Sequence, residues 1–328
     1  MNAVLQTLVD EKIGPGERKR QFATDFCTLA GLKYGLMLRS RFDALKLALR
    51  CLHIEEGDSI GMSVLSPRFY AIAVKELGGK VKFGDINAAT GCLAEAEARR
   101  LVEEGCKMII LHEPMGMIPL HEPYKDMGVP LIEDMTESLG SFLDADKPGI
   151  RGDIVLCAFE EEDMISSAGG SVIMTNSKDL RDSWTPLLEG VRSYVEMPDM
   201  NAALGIIQCA TFSEQLEKRR TFYRLFQKSL LKTRHKVFGI SALEYEVNGY
   251  GFAVLLDSKI EDVMKFATKY QVSSQKTFAG CAGADKSDDF DHFPNAIPAM
   301  LRCISFPLYP FISQSDNDML VKVISHLP

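Results

Sequence analysis

The sequence predicts an α/β fold: a mostly parallel sheet between layers of helices, followed by a small α+β region at the C-terminal end. Three observations predict it. Short apolar segments alternate with helix-period segments over the first 200 residues, as they do when crossover helices connect parallel strands. The texture then changes to one long helical stretch and a shorter mixture of strands and helices. With 328 residues, 46% of them hydrophobic and 25% charged, the chain can fill a sizeable core.

The elements follow in order. Arg18–Leu32 has Phe22, Phe26 and Leu29 at i, i+4, i+7 spacing and is expected to be a helix, and Asp43–Leu52 is a second, strongly apolar one. Asp58–Val64, Lys80–Phe83, Met108–His112, Pro130–Asp134, Asp153–Phe159 and Ser171–Thr175 are expected strands. Arg68–Leu77 and Ala94–Glu104 are helices among them. Asn201–Phe226 is one long helix whose run Lys218, Arg219, Arg220 suits a solvated face. Gly251–Leu256 and Arg302–Phe306 suit strands, Ile260–Tyr270 a helix, and the Gly-, Asp- and Ser-rich stretch Gly280–Asn295 a mobile loop. Residues 1–200 therefore form a large α/β domain, and residues 201–328 an interdomain helix with a small C-terminal domain.

Charge and composition exclude several classes. A net charge of −8, with Lys and Arg scattered, argues against nucleic acid or an anionic membrane as partner. The eight cysteines form no CxxC pair, several lie in apolar runs, and no apolar stretch would span a bilayer, so a reduced cytoplasmic setting is expected. The N-terminus has acidic residues inside its apolar run and no cleavage pattern, unlike a signal peptide. No metal site is expected: His53, His121, His235, His292 and His326 lack ligand spacing, and Asp288, Asp289 and Asp291 lack the Gly and distal Glu of a calcium loop. There is no Walker loop, G-x-S-x-G or G-x-G-x-x-G.

Six segments in order carry a resemblance. IGPGERKRQFATDF resembles the opening helix of the DegT/StrS-type nucleotide-sugar aminotransferases, and SRFDALKLAL (Ser40–Leu49) lies where they have S-G-T-x-A-L-x-L-A-L. LGGKVKFGDI (Leu77–Ile86), VPLIEDMTESLGS (Val129–Ser141), MPDMNAALGIIQ (Met197–Gln208) and SFPLYPFIS (Ser305–Ser313) resemble L-G-A-x-P-V-F-V-D-I, V-I-E-D-A-A-Q-A-x-G-A, M-S-D-L-Q-A-A-L-G-L-A-Q and L-P-L-H-P-x-L-T. The resemblance implies a fold-type I pyridoxal-phosphate (PLP) transferase architecture with a seven-stranded sheet. It also implies a homodimer with sites at the subunit interface. Gly152–Asp153 should turn into a strand, and Ala202, Ala203, Leu204 and Gly205 should allow close helix approach.

The same resemblance makes the cofactor positions anomalous. Cys157–Gly170, CAFEEEDMISSAGG, resembles F-S-F-x-x-x-K-x-I-T-T-G-E-G-G, whose Lys holds PLP as a Schiff base in the family. Asp163 takes that place, or Glu162 when counted back from Gly169 and Gly170. No lysine occurs between Asp153 and Ser177, and a carboxylate cannot form an imine. The family's phosphate-binding Gly-Thr is Arg41–Phe42, after a retained Ser40. The Ser of F-S-F is Ala158, and the Gln of I-E-D-A-A-Q is Glu137. The partner subunit's phosphate-binding Asn of Y-N-Y-R-M matches Tyr194, and the nearby Arg matches Glu196. Adjacent carboxylates at Glu160–Asp163 are electrostatically wrong for a phosphate pocket. Besides Ser40, only Asp134, which accepts a hydrogen bond from the PLP ring nitrogen in the family, keeps its identity; the alternative for it is a strand-end carboxylate satisfied by backbone amides.

Arg41 and Asp163 are expected to meet as a buried ion pair with Phe42 filling the space, or Arg41 to recruit a small anion. No cofactor is expected. Three functional readings stay open. The first is an inert transaminase relative with a binding or regulatory role in nucleotide-sugar or polysaccharide biosynthesis. It would pair with itself or an active paralogue, and its ligand would be a small anion or a nucleotide-sugar. The second is an enzyme using Asp134, Glu137 and Asp163 as acid/base groups without covalent PLP. The third is an aminotransferase with a displaced lysine, Lys147 or Lys178.

Overall fold

The computed structural model describes residues 2–11, 13–119, 124, 126–143, 146–239 and 245–328; His121 lies outside them. Helices α1 (Asn2–Val9) and α2 (Glu17–Ala30) precede β1 (Tyr34–Leu38), α3 (Arg41–Cys51), β2 (Ser59–Ser63), α4 (Arg68–Glu76) and β3 (Lys80–Gly84). Then come α5 (Glu95–Glu103), β4 (Cys106–His112), β5 (Leu131–Asp134), the short β6 (Phe142–Leu143), β7 (Ile154–Ala158) and β8 (Ser171–Thr175). Helices α6 (Lys178–Leu187), α7 (Arg192–Val195) and α8 (Asp199–Leu230) lead into β9 (Lys236–Val237), β10 (Tyr245–Glu246), β11 (Phe252–Leu255) and α9 (Ile260–Lys269). The chain closes with β12 (Gln275–Lys276), α10 (Ala296–Arg302), β13 (Cys303–Phe306) and α11 (Gln314–Ile324).

The large sheet has seven strands in the order β1-β8-β7-β5-β4-β2-β3. Pairs β2–β3, β2–β4, β4–β5 and β5–β7 are parallel, while β8 runs antiparallel to both its neighbours. The mostly parallel sheet is thus as expected, but β1 was not anticipated. It is only five residues long and follows directly on the αL turn at Gly31 that ends α2, so its apolar run merges with the helix pattern.

Alternation along the strands assigns their two faces. Ile154, Leu156 and Ile173 pack with α3, α4 and Trp184 on one side; Val155, Cys157, Val172 and Met174 pack with Phe22 and Phe26 of α2 on the other. Helix α8 lies against α2, and a Cβ at Gly205 would run into the Phe22 ring, which is why that position needs glycine. Asp199, the first residue of α8, accepts hydrogen bonds from the amides of Gly16 (2.7 Å), Lys19 (2.9 Å) and Arg18 (3.1 Å), so one helix start caps another. Gly152 turns into β7 as expected, its amide donating to the buried Glu133 at 2.7 Å.

The C-terminal four-stranded sheet, β12-β13-β11-β9, is antiparallel. Its core of Phe226, Phe252, Val254 and Ile304 is continuous with Val64, Leu65, Ile86 and Met117 from the large sheet's strand ends. The 280–295 stretch is not the free loop its composition suggested. Ala282 and Gly283 donate to Ser66 (2.7 Å) and Val64 (3.0 Å), and the amides of Asn295 and Ala296 end on Asp85 (both 2.9 Å). Polar loop residues had signalled turns; long-range backbone pairing holds them in place. Among the described residues all eight cysteines are free thiols, and no helix is long and apolar enough to cross a membrane.

Candidate functional site

Parallel strands deliver their C-terminal ends to one edge of a sheet, where ligands of open α/β folds bind. Here that edge presents His112 from β4, Asp134 from β5 and Ala158 from β7. Beside it, between the large sheet and the C-terminal region, lies a cavity of about 710 Å³ whose lining includes His112, Glu137, Asp163, Arg219 and Tyr250.

Asp134 is fully buried and every acceptor direction is used. Its Oδ2 takes the Nε (3.0 Å) and Nη2 (2.9 Å) of Arg41 and the Tyr70 hydroxyl (2.5 Å). Its Oδ1 takes the amide (3.0 Å) and hydroxyl (2.6 Å) of Thr136. The expected ion pair between Arg41 and Asp163 is therefore corrected: Arg41 pairs with Asp134. From the first turn of α3 its guanidinium reaches the strand end, and it stacks on the Phe69 ring at 5.1 Å. Phe42 does not fill the space either. It packs with the α3 core, under the Lys46 ammonium at 5.2 Å. The alternative of backbone amides for Asp134 holds for one contact only, since four of the five donors are side-chain groups.

The electrostatics follow from this geometry. Burial is the largest single influence on Arg41 and would depress its pKa, but Asp134, with Tyr70, Asp163 and Glu137, together outweigh it and hold the guanidinium well above its usual value. Burial pushes Asp134 up and Arg41, with His112, more than offsets it, so its carboxyl stays below the usual range. Glu137 behaves likewise, burial being overcome by His112 (Nε2 to Oε1, 3.3 Å) and by the Met115 amide (2.8 Å). Asp163 differs. Burial raises it to about 6, eased by Arg41 and by the Glu160 amide that its Oδ2 accepts at 2.7 Å, and Glu137 and Asp134 add to the rise. Asp163 also accepts from the Tyr250 hydroxyl at 3.3 Å. It closes a tight turn after β7, while Glu160, Glu161 and Glu162 are exposed.

Of the other expected positions, Ser40 caps α3 by accepting from the Asp43 amide at 3.0 Å, and Ala158 donates its amide to Thr136 at 3.0 Å. Tyr194 is remote from this cluster: it stands on α7 and is 76% exposed. Its neighbour Glu196 is buried and paired with Lys19 and Arg192. Neither displaced-lysine candidate reaches the cavity. Lys178 is exposed on α6, and Lys147 lines a separate hollow near Phe142. Tyr70 and Tyr250 were not singled out from the sequence, Thr136 lay within a quoted motif without a role, and Arg219, expected on a solvated face, is buried; only tertiary contact assigns these four their places.

A profile of the DegT/DnrJ/EryC1/StrS aminotransferase family matches residues 1–325. The chain belongs to that family. Among its relatives is the UDP-4-amino-4,6-dideoxy-N-acetyl-beta-L-altrosamine transaminase of Campylobacter jejuni subsp. jejuni serotype O:2. It is 25% identical over 255 residues, which cover 71% of this chain and 67% of the relative. Aminotransferase TlmJ from Streptoalloteichus hindustanus superposes with a TM-score of 0.88 at 19% identity, covering 99% of this chain and 94% of its own. The Escherichia coli GDP-4-keto-6-deoxy-D-mannose-3-dehydratase with bound hydrated PLP superposes at 0.85 and 18% identity, covering 98% and 95%. The fold is that of fold-type I PLP aminotransferases.

These relatives correct one expectation. The absence of any cofactor does not stand, because PLP is the group bound in solved members of this fold, including that dehydratase. The residues present fit covalent attachment poorly. No lysine lines the cavity among the described residues, and the carboxylate that would meet a ring nitrogen is saturated by Arg41, Tyr70 and Thr136.

Proposed function

We propose that this family member is a ligand-binding protein of nucleotide-sugar or polysaccharide biosynthesis that does not itself transfer an amino group. The observation that carries the reading is the Arg41 guanidinium seated on Asp134 through two hydrogen bonds. Amino transfer in this fold needs a lysine amine and a carboxylate free to hold the ring nitrogen protonated. This chain offers carboxylates where the amine would be and has spent its ring-facing carboxylate on an internal ion pair. The cavity beside them remains open, and the resemblance supplies the ligand class. Two copies form the working unit in this reading, supported by the exposed Tyr194 and Val191, which stand where the family's partner-facing segment lies.

The test is a transamination assay with added PLP, glutamate and UDP- or GDP-linked ketosugars, run beside a thermal-shift series with the same nucleotide-sugars. The expected result is stabilisation by a nucleotide-sugar without formation of 2-oxoglutarate. Turnover of glutamate would overturn the proposal.

One observation favours a second reading, an acid/base enzyme. Asp163, at about 6 and facing the cavity, is suited to proton transfer near neutral pH. A substrate consumed with a rate that follows an ionisation near 6, and lost in Asp163→Asn, would support it over simple binding.

A further inference from the structure

Two acidic side chains buried behind the cavity wall have too few donors between them for two charges. Glu113, directly after β4, and Glu133, in the neighbouring strand β5, are both 0% exposed, and their carboxyl groups meet. Glu133 is fully supplied: it accepts from the amides of Gly149 (2.8 Å), Arg151 (2.8 Å) and Gly152 (2.7 Å). Glu113 is not. Its Oε2 accepts from the Ser138 hydroxyl, while its Oε1 is buried and has no donor among the described residues. An ionised carboxylate can only accept, so an ionised Glu113 would leave that oxygen bare against another carboxylate. A proton on Oε1 makes it a donor, with Glu133 as its acceptor.

The charged and titratable groups packed around the pair do not supply the missing donor. Arg151 commits its guanidinium elsewhere: Nη2 donates to the Pro119 carbonyl (2.9 Å) and reaches Asp146 (3.3 Å), and Nη1 donates to the Lys147 carbonyl (3.3 Å). Asp146 brings a further negative charge. Tyr245, from β10, gives its hydroxyl proton to the Gly116 carbonyl (2.8 Å) and accepts from the Ile118 amide (2.7 Å). His112 turns to Glu137 instead. Burial and the adjoining Glu133 push the Glu113 carboxyl well above the usual carboxylate range, against the opposing pull of Arg151 and Ser138.

We propose that Glu113 and Glu133 hold a single proton between them, and that this buried acid–carboxylate pair latches two turns together. One turn, residues 114–117, belongs to the cavity wall: Met115 lines the cavity, and its amide holds Glu137 at 2.8 Å. The other, residues 149–152, sends three amides to Glu133. Loss of the proton sets two negative charges side by side out of water and drives the turns apart. The cavity wall is thereby tied to pH through groups outside the cavity lining, whatever the cavity binds. Because the folded value of Glu113 is raised, its stabilisation is complete below the unfolded value and is lost as pH rises through the folded one.

The test is infrared spectroscopy of the full-length protein, isotopically labelled at its glutamate carboxyl carbons and held at neutral pH. A protonated-carboxyl C=O band that shifts in heavy water is expected in the wild type. It should vanish in Glu113→Gln, whose side-chain amide can donate to Glu133 as the acid does. Urea unfolding from neutral to alkaline pH gives a second readout. The wild-type midpoint should fall relative to that of Glu113→Gln as the pH rises. Glu133→Gln should be the less stable of the two glutamine variants throughout, because its amide would meet the backbone amides of 149–152 donor to donor. Should Glu113→Gln fail to fold, Ser138→Ala, which removes the hydrogen bond on Oε2, should still shift the band and so assign it. Absence of a protonated glutamate at neutral pH would overturn the proposal, as would a band that neither Glu113→Gln nor Ser138→Ala alters. A wild-type midpoint that runs parallel to that of Glu113→Gln would overturn the latch.

Discussion

Two arginines near the same cavity, Arg41 partly buried and Arg219 buried, have opposite fates. Arg41 meets a buried carboxylate at 2.9 Å and a phenylalanine face, and its charge is held well above the usual guanidinium value. Among the described residues Arg219 hydrogen-bonds only to backbone carbonyls, and burial lowers it to about 10, with Tyr250 and Asp163 opposing. Both are largely withdrawn from water, where an uncompensated charge is costly. The difference teaches which part of the pocket is finished. At Arg41 the charge is neutralised within the chain and no ligand is needed; at Arg219 the chain has supplied dipoles but no anion.

The largest expected effect breaks the finished side. Arg41→Met leaves Asp134 buried and ionised without its cation, and should cost about 3–5 kcal/mol in urea unfolding. Adding Asp134→Leu to that variant should recover most of the loss, because the carboxylate goes with its partner. If the single and double variants are equally unstable, Arg41 matters for packing and not for charge.

Asp163→Asn comes next and has the opposite sign. The folded pKa of Asp163, about 6, lies above its unfolded value, so the folded state binds more protons between those limits. Stability from this group is complete below the unfolded value and is lost as pH rises through about 6. The variant should therefore exceed wild type by up to about 3 kcal/mol at pH 8 and by little at pH 4. A constant difference across that range would show that the carboxyl does not titrate there.

Tyr70→Phe removes one hydrogen bond to a charged carboxylate and should cost about 2 kcal/mol, again by urea unfolding. The smallest effect is expected at α7. Tyr194→Ala, at an exposed position, should change monomer stability by less than about 0.5 kcal/mol. Light scattering should nevertheless show a weaker dimer if this residue faces a second copy.

How much of this was legible can be argued from particular residues. Strand β7 was readable as an unbroken apolar run and β4 by its apolar Met108–Leu111 stretch, while β5, whose second half is Glu133 and Asp134, was readable from the motif that contains it. Asp134, Arg41, Glu137 and Asp163 were readable as a group because the resemblance brought them to one pocket. Their pairing was not. Arg41 could reach either Asp134 or Asp163, and only the placement of α3 against β5 made Asp134 the partner. Tyr70 and Phe69 carried no signal, since an aromatic at the start of a helix is ordinary core until a carboxylate or guanidinium is found against it. Arg219 looked like a solvated basic run, because helix periodicity says which residues share a face but not what covers that face.

The sequence by itself determined the alternation of elements, the family, and the replacement of an amine by carboxylates after β7, for these depend on residue identity and order along the chain. Tertiary structure alone decided which charges neutralise one another, which guanidinium stays without an anion, and how Gly280–Asn295 is tied down. Those outcomes turn on distances of a few ångströms between segments far apart in the chain, and burial makes such distances decisive because little solvent is there to screen them.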